Sequence, residues 1–473
     1  MKIRYLIMTV VLTMAMVSLS SAGTIFGDSV NYSAGNGAHT VAAGDIDGDT
    51  FVDLVNSAHF ADSIYVSLNN GDGTFAAATA FASGDAPAGV CLVDLDGDTD
   101  RDLVIVNYND NTITVRFNYG SGNFLAPANY ATPSSPYAIT YGDFDGDLDN
   151  DLAVVNYAAD NISVFLNNGD GTFASQVGYA TGEGPFSLIS GDFDKDDDID
   201  LAVTNNTSSS ISILMNDGDG TFADDVIYAV GSGPREITSA DFDGDTWPDI
   251  AVACDGAQAA YILINDGDGT FAAAVSYSAG EKASGICNGD FDGDDDIDIA
   301  LGRWWADDIV VMLNAGDGTF GTPDPYSVID NPARMVADDF DNDGYPDIAV
   351  TNYGGSALSV FINLTEFSLD VDDGANGSLS PNGFALRQNL PNPFNTSTRI
   401  SYTVGSRSHI SITIYNILGQ VIRNLVDHER SAGTYTADWD GADSEGHAVG
   451  TGIYFYQIKS GDYAETRKML LLK

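Results

Sequence analysis

The sequence predicts an all-β fold, a seven-bladed β-propeller of 49-residue blades followed by a small Ig-like β-sandwich. Three observations predict it. An acidic loop recurs seven times at one fixed interval. Each interval holds four short strand-like runs and no helical window. The composition then changes after residue 368.

The acidic loop begins at Asp45, Asp94, Asp143, Asp192, Asp241, Asp290 and Asp339, each 49 residues after the last. A second marker keeps step: NNGDGTF from Asn69 and Asn167, NYGSGNF from Asn118, NDGDGTF from Asn216 and Asn265, and NAGDGTF from Asn314. The seventh copy, NLTEFSL from Asn363, is degraded. Constant spacing without insertions marks a structural module of fixed size. In the third unit the strand-like runs are 138–141, 152–156, 162–167 and 173–179, separated by Gly, Asn and Asp turn clusters. Four-stranded antiparallel units repeated radially make a propeller. A β-solenoid is the alternative, but its repeats are usually shorter.

Phase also predicts how the ring closes. Phe26 lies 49 residues before Phe75, so residues 24–33 match the fourth strand of a unit whose first three strands are missing. The seventh unit has a clear third strand at 358–363 and a poor fourth. The N-terminal strand is therefore expected to complete the last blade; the alternative is that 367–371 supplies that strand.

The acidic loop reads D-x-D-x-D-x-x-x-D. Position 1 is Asp45, Asp94, Asp143, Asp192, Asp241, Asp290 and Asp339. Position 3 is Asp47, Asp96, Asp145, Asp194, Asp243, Asp292 and Asp341. Position 5 is Asp49, Asp98, Asp147, Asp196, Asp245, Asp294 and Asp343, and position 9 is Asp53, Asp102, Asp151, Asp200, Asp249, Asp298 and Asp347. All 28 positions are Asp, although Glu, Asn or Ser would serve a merely solvated turn. Like charges this close repel, so a cation is expected among them. Hard oxygen ligands in a flexible loop suit Ca²⁺ better than Mg²⁺, and the lack of His and Cys argues against zinc. Up to seven Ca²⁺ ions are expected, one per blade. The loop is not an EF-hand, because position 12 carries no Glu and strands rather than helices flank it. Gly at position 4 relieves a tight turn in five loops; Lys195 and Asn342 replace it in the fourth and seventh, making the fourth the weakest candidate.

The unit DFDGD…DLAV…NNGDGTF resembles the FG-GAP/VCBS repeat, the blade of integrin α-subunit propellers, over roughly 24–367. The resemblance implies calcium held between the first and second strands of each blade in a structural role, with the Asp residues above as ligands. It also implies a ligand rim on the side away from those loops.

Strand alternation puts the acidic loops and NGDG turns on one rim, and the remaining connections on the other. Stepping by 49 along that second rim gives His59, Tyr108, Tyr157, Asn206, Asp255, Trp304 and Tyr353 in one set. The other set is His39, Ala88, Tyr137, Phe186, Arg235, Ser284 and Ala333. Aromatic side chains on a rigid rim suit a glycan face or a protein loop, unless they simply pack over the blade edges. The candidate ligand residues are His59, Tyr108, Tyr157, Arg235, Arg303, Trp304, Trp305 and Tyr353.

The net charge of −51 argues against nucleic acid and bare anionic membranes as partners. Residues 23–384 hold 61 acidic against 7 basic side chains, so seven Ca²⁺ would relieve strong self-repulsion. Residues 1–22 read as a cleaved signal peptide: Lys2 and Arg4, an apolar run over 5–17, then Ser20 and Ala22 before the cut. No later segment could span a bilayer as a helix. Cys91, Cys254 and Cys287 give no disulfide framework and are expected to be buried. No GxSxG, HExxH or phosphate loop occurs, so a monomeric binding or adhesion module is expected rather than an enzyme. A calcium-dependent polysaccharide lyase or other carbohydrate-active propeller enzyme is the alternative, with Arg235, His39 and Tyr137 as candidates for the lyase.

Residues 368–384 read as a linker, and 385–473 balance 9 basic against 8 acidic side chains. About seven strands there suggest a β-sandwich. NLPNPFN from Asn389, IYNILGQ from Ile414, WDGADSEGHAVGTGIYFYQI and the final KMLLLK resemble the C-terminal sorting domain of type IX secretion cargo. That resemblance implies outer-membrane secretion machinery as a partner. It also implies release to the medium, or display on the outer surface, of a two-membrane bacterium.

Overall fold

The computed structural model describes residues 25–365, 385–390, 394, 398–416, 420–431, 433–444, 447, 449–450, 452–461 and 463–471. The expected signal peptide (1–22) and linker (368–384) lie outside the described residues.

Strand β1 (Val30–Ser33) stands alone at the start of the chain, and the first full unit follows it: β2 (Ala38–Gly44), β3 (Asp53–Ala58), β4 (Ser63–Ser67) and β5 (Thr79–Ala82). These four form one antiparallel sheet in chain order. The same sheet recurs every 49 residues, giving seven four-stranded sheets among residues 25–365. The seventh has strands Pro332–Asp338, Asp347–Asn352 and Ala357–Phe361, and β1 is its fourth. Val30 pairs with Val360 and Ser33 with Ala357, the register that phase with Phe75 predicts.

Burial explains the strand patterns. Second strands such as DLVIVN (Asp102–Asn107) are covered on both faces and read as continuous apolar runs. Fourth strands are four-residue edges with mostly exposed side chains, short enough to discourage pairing with another molecule. First strands shift register near their start in all seven sheets, between Pro136 and Ile139 for example. Such a bulge bends the strand and re-aims a side chain.

Consecutive sheets are joined the same way at every seam. The side-chain amide of the Asn that opens the NGDG turn donates to the carbonyl of position 2 in the preceding acidic loop, at 2.7–3.0 Å. Asn69 makes the equivalent 2.8 Å bond to Phe340, joining the seventh sheet to the first. Position 2 is Ile46, Leu95 or Phe, and every one of these side chains is buried. The Phe340 and Phe75 rings meet edge-on at 5.6 Å across the last seam, as Phe144 and Phe222 do across an earlier one. A cavity of about 300 Å³ is walled by the first strands of all seven sheets, Thr40, Gly89, Ala138, Leu188, Ile237, Cys287 and Met335 among its residues.

The C-terminal part forms two antiparallel sheets. One holds Ala385–Leu390, Thr398–Val404 and Gly433–Trp439; the other holds Ser408–Asn416, Val421–Arg430, Gly452–Ser460 and Tyr463–Leu471. Alternating apolar positions face inward around Trp439, Tyr402 and Tyr456, and the indole of Trp439 donates to the Ala442 carbonyl at 2.8 Å. Cys91, Cys254 and Cys287 are buried and unbridged. Among the described residues no helix is long and apolar enough to cross a membrane.

Candidate metal centres and a ring-lined mouth

Each acidic loop folds around its own backbone. In the third, Asp143 accepts the amides of Gly146, Asp147 and Leu148 at 2.8–3.1 Å, and Asp147 accepts that of Asp149. The turn needs two left-handed residues. Position 4 has positive φ in all seven loops, including Lys195 (56°) and Asn342 (61°). Lys195 accepts this geometry and points its ammonium at the fifth loop, 2.7 Å from the Thr246 hydroxyl and 4.3 Å from the Trp247 ring. The fourth cluster of Asp192, Asp194 and Asp200 still assembles.

Position 6 also has positive φ, although only the seventh loop has Gly there (Gly344). Leu148 sits at φ 76° and is 89% exposed. An L-residue in the left-handed region costs about 1 kcal/mol, and this side chain has no packing to lose. Leu148→Gly is therefore expected to stabilise the chain by about 1 kcal/mol in urea denaturation, and a loss of stability would contradict this strain.

Oxygens of positions 1, 3 and 9 converge within 4.8 Å, as in Asp45, Asp47 and Asp53 or Asp143, Asp145 and Asp151. Position 5 is not in the clusters of the first five loops, and its carboxylate accepts a loop amide, as Asp49 does from Phe51 and Asp147 from Asp149. Position 9 does two jobs. Asp151 is fully buried, and its two oxygens accept the Phe144 amide at 2.9 Å and the Asn167 amide at 2.7 Å. The same pair of bonds recurs at position 9 of all seven loops. Each oxygen keeps a second lone pair for a cation. Burial pushes these carboxyls up, to about 6 for Asp53, about 7 for Asp102 and about 8 for Asp347. Burial and then the neighbouring Asp49 raise Asp47 as well.

The residues fit a hard divalent cation. The donor set is all oxygen. In four loops one position 3 oxygen, Oδ1 of Asp96, Asp145, Asp194 or Asp292, is buried without any hydrogen-bond partner. An unpaired buried acceptor is costly unless something positive meets it.

On the opposite side, the two rim sets converge on one cavity of about 390 Å³. The bulged starts of the first strands supply His39, Tyr137, Phe186, Arg235, Ser284 and Ala333, while the turns between second and third strands supply His59, Tyr108, Trp304 and Tyr353. Of the eight candidate ligand residues, His59, Tyr108, Arg235, Trp304 and Tyr353 line it. Tyr157 stands behind, its ring 6.4 Å from Tyr137 and 6.3 Å from Phe186. Arg303 and Trp305 fall outside the wall: Arg303 is tied to Asp308 and the Ala279 carbonyl, and Trp305 is 66% exposed.

Sequence reasoning missed Arg334, one step past the predicted position in the seventh unit. It is buried beneath the cavity, 3.0 Å from Glu236 and 3.3 Å from the Ser187 hydroxyl. An arginine within the otherwise apolar PARMVA strand was the available signal. Deeper in, His39 Nδ1 donates to the Ala88 carbonyl at 2.9 Å, so Nε2 accepts from the Tyr137 hydroxyl at 2.9 Å. Burial, and then the charge of Arg334, hold His39 down at about 3, so its imidazole is neutral. Burial raises the Tyr137 hydroxyl.

With this geometry, comparison with known proteins assigns the class. The chain matches the family model for the FG-GAP-like repeat at residues 53–105, 94–154, 143–203, 192–252, 241–301 and 290–350. These windows cover more than half of it, and the chain belongs to the FG-GAP-like repeat family of β-propeller repeats. Residues 395–462 match the FlgD Ig-like domain. No curated protein matches the chain. Among solved structures it is similar to BBS1N from its complex with ARL6DN, with TM-score 0.51 and 14% identity over 72% of this chain and 97% of that one. It is similar to an Agrocybe aegerita lectin that recognises non-reducing terminal N-acetylglucosamine, with TM-score 0.45 and 21% identity over 61% and 80%. It is also similar to PorZ, a surface component of the type-IX secretion system of Porphyromonas gingivalis, with TM-score 0.44 and 13% identity over 91% and 60%.

Proposed function

We propose that residues 23–367 form one closed seven-bladed propeller that holds up to seven Ca²⁺ ions and binds a glycan or extracellular protein at the opposite mouth. The observation that carries the binding reading is the convergence of both rim sets, with seven ring-bearing side chains, on a single cavity. Its size is that of small-molecule sites, roughly 300–1,000 Å³. The six matched windows run from the first acidic loop into the seventh, which supports seven blades. The converging oxygens of positions 1, 3 and 9 support calcium as the cation.

Calcium, once bound, supplies charge neutralisation and pins each loop. The chain's own groups do the rest: position 9 joins the loop to the next turn, and the Asn clamp joins loop to neighbouring sheet. The hydrogen-bonded His39 and Tyr137 beside two arginines are the arrangement a lyase would use for proton abstraction. Burial holds His39 at about 3 and raises the Tyr137 hydroxyl, which supports binding over proton abstraction. We therefore assign binding rather than catalysis.

Export through the signal peptide 1–22, passage of the outer membrane through the type IX-like tail 385–473, and display or release of a monomer complete the proposal. The tail motifs quoted above support the sorting role. The test is a screen of glycans and extracellular proteins against the calcium-loaded chain and its Trp304→Ala/Trp305→Ala double variant. A ligand lost in the double variant is expected. Unsaturated sugar ends appearing during the incubation would favour the lyase instead.

A further inference from the structure

The propeller is overwhelmingly acidic, yet its few cations are not scattered. Residues 25–365 contain seven, Arg101, Arg116, Lys195, Arg235, Lys282, Arg303 and Arg334. Arg235 and Arg334 line the mouth and two more, Lys282 and Arg303, stand beside it, while Arg101, Arg116 and Lys195 lie elsewhere. Lys282 reaches over the Trp304 ring at 5.6 Å, and Arg303 adjoins Trp304 in the chain.

Three carboxylates form the close ion pairs of these four cations. Arg303 is paired with Asp308 and Arg334 with Glu236. Arg235 and Lys282 share a single carboxylate, Asp255, with Lys282 at 3.3 Å. Arg235 uses Nε for that contact. Among the described residues its terminal nitrogens have no hydrogen bond, so a fork of donors faces the cavity. The guanidinium is held in place by the Phe186 ring, 5.0 Å from its carbon, and Arg334 lies 5.2 Å from the same ring.

This inference rests on the binding reading above and specifies its ligand. We propose that the mouth binds the uronate end of an acidic polysaccharide. The sugar carboxylate meets the terminal nitrogens of Arg235, with the positive field of Arg334 below. The sugar's C–H face lies on an aromatic wall that includes Trp304. Seven of the eleven lining residues carry rings, which favours a sugar over an extended peptide.

The test uses the full calcium-loaded chain and three probes in calorimetry: an oligogalacturonate, the same oligomer with its carboxyls reduced to alcohols, and a short peptide with a free C-terminal carboxylate. The acid oligomer is expected to bind at least about tenfold more tightly than the reduced one. Arg235→Gln is expected to abolish that preference, and Trp304→Ala to weaken both sugars. Lys282 keeps Asp255 paired in the Arg235 variant, and an unchanged melting temperature checks this. Equal affinity for acid and reduced oligomers, both dependent on Trp304, would overturn the anion inference while sparing the glycan site. Binding of the peptide alone would overturn the sugar. No binding of any probe would overturn the uronate assignment, and the broader screen then decides whether the mouth binds anything.

Discussion

A chain that begins at Ala34, lacking residues 25–33, is expected to lose the cooperative melting of the whole propeller region. The effect is large because a terminal segment here is a structural member of the last sheet. β1 pairs with Ala357–Phe361 over four residues, and Phe26 bridges to Asn363. The Phe26 ring is 1% exposed and meets Phe291 and Tyr326 at 5.5 Å each and Phe361 at 6.3 Å. Tyr32 reaches across the seam, its ring 5.5 Å from Phe75 and its hydroxyl 3.2 Å from the Phe75 amide. Phe26→Ala alone should cost about 3–5 kcal/mol. Removing the whole segment also bares the edge of Ala357–Phe361, which invites pairing between molecules. Scanning calorimetry and size-exclusion chromatography check this. A shortened chain that melts with the parent and stays monomeric would show that the last sheet does not need its N-terminal strand.

Asp151→Ala is expected to be the most damaging of the single loop substitutions, with or without calcium. The substitution strands two buried amides, those of Phe144 and Asn167, at about 1–3 kcal/mol each. Asp145→Ala, in the same loop but with one oxygen that lacks a hydrogen-bond partner, should not lower melting in chelator and should reduce the gain from calcium. The pair separates the structural role of position 9 from the charge that the other positions contribute. If both variants melt alike in chelator, position 9 is a metal ligand and nothing more.

Much of this was legible because a strict repeat turns sequence offset into spatial equivalence. Stepping by 49 found His39, Tyr137, Phe186 and Arg235 on one ring of positions, and His59, Tyr108, Trp304 and Tyr353 on another. The cavity gathers both. The same logic placed residues 24–33 by matching Phe26 to Phe75. What escaped lies between repeats or off the common pattern. The Asn clamp joins residues 72 apart, so no single unit reveals it. The bulge that turns each first strand toward the mouth had only Pro at the strand start as a sign. Arg334 departs from its six equivalents, so averaging over repeats hides it. Trp305 and Arg303 do not line the cavity, because chain neighbours of Trp304 need not share its direction in a turn.

The central claim, that cations between converging aspartates hold the ring together, is tested most directly by melting the full chain in millimolar calcium and in chelator at pH 5 and pH 8. Position 9 carboxyls are raised in the folded state above the ordinary value of 3.8, to about 6 through 8. Without metal the folded chain therefore binds more protons than the unfolded one across that window, and its stability falls as pH rises through it. Calcium needs the ionised carboxylates, so its gain should be largest at pH 8, at about 2.7 kcal/mol per site when calcium exceeds Kd a hundredfold. A large upward shift with calcium is expected at pH 8, and a smaller one at pH 5. Superimposable melts with calcium and with chelator at pH 8 would contradict it.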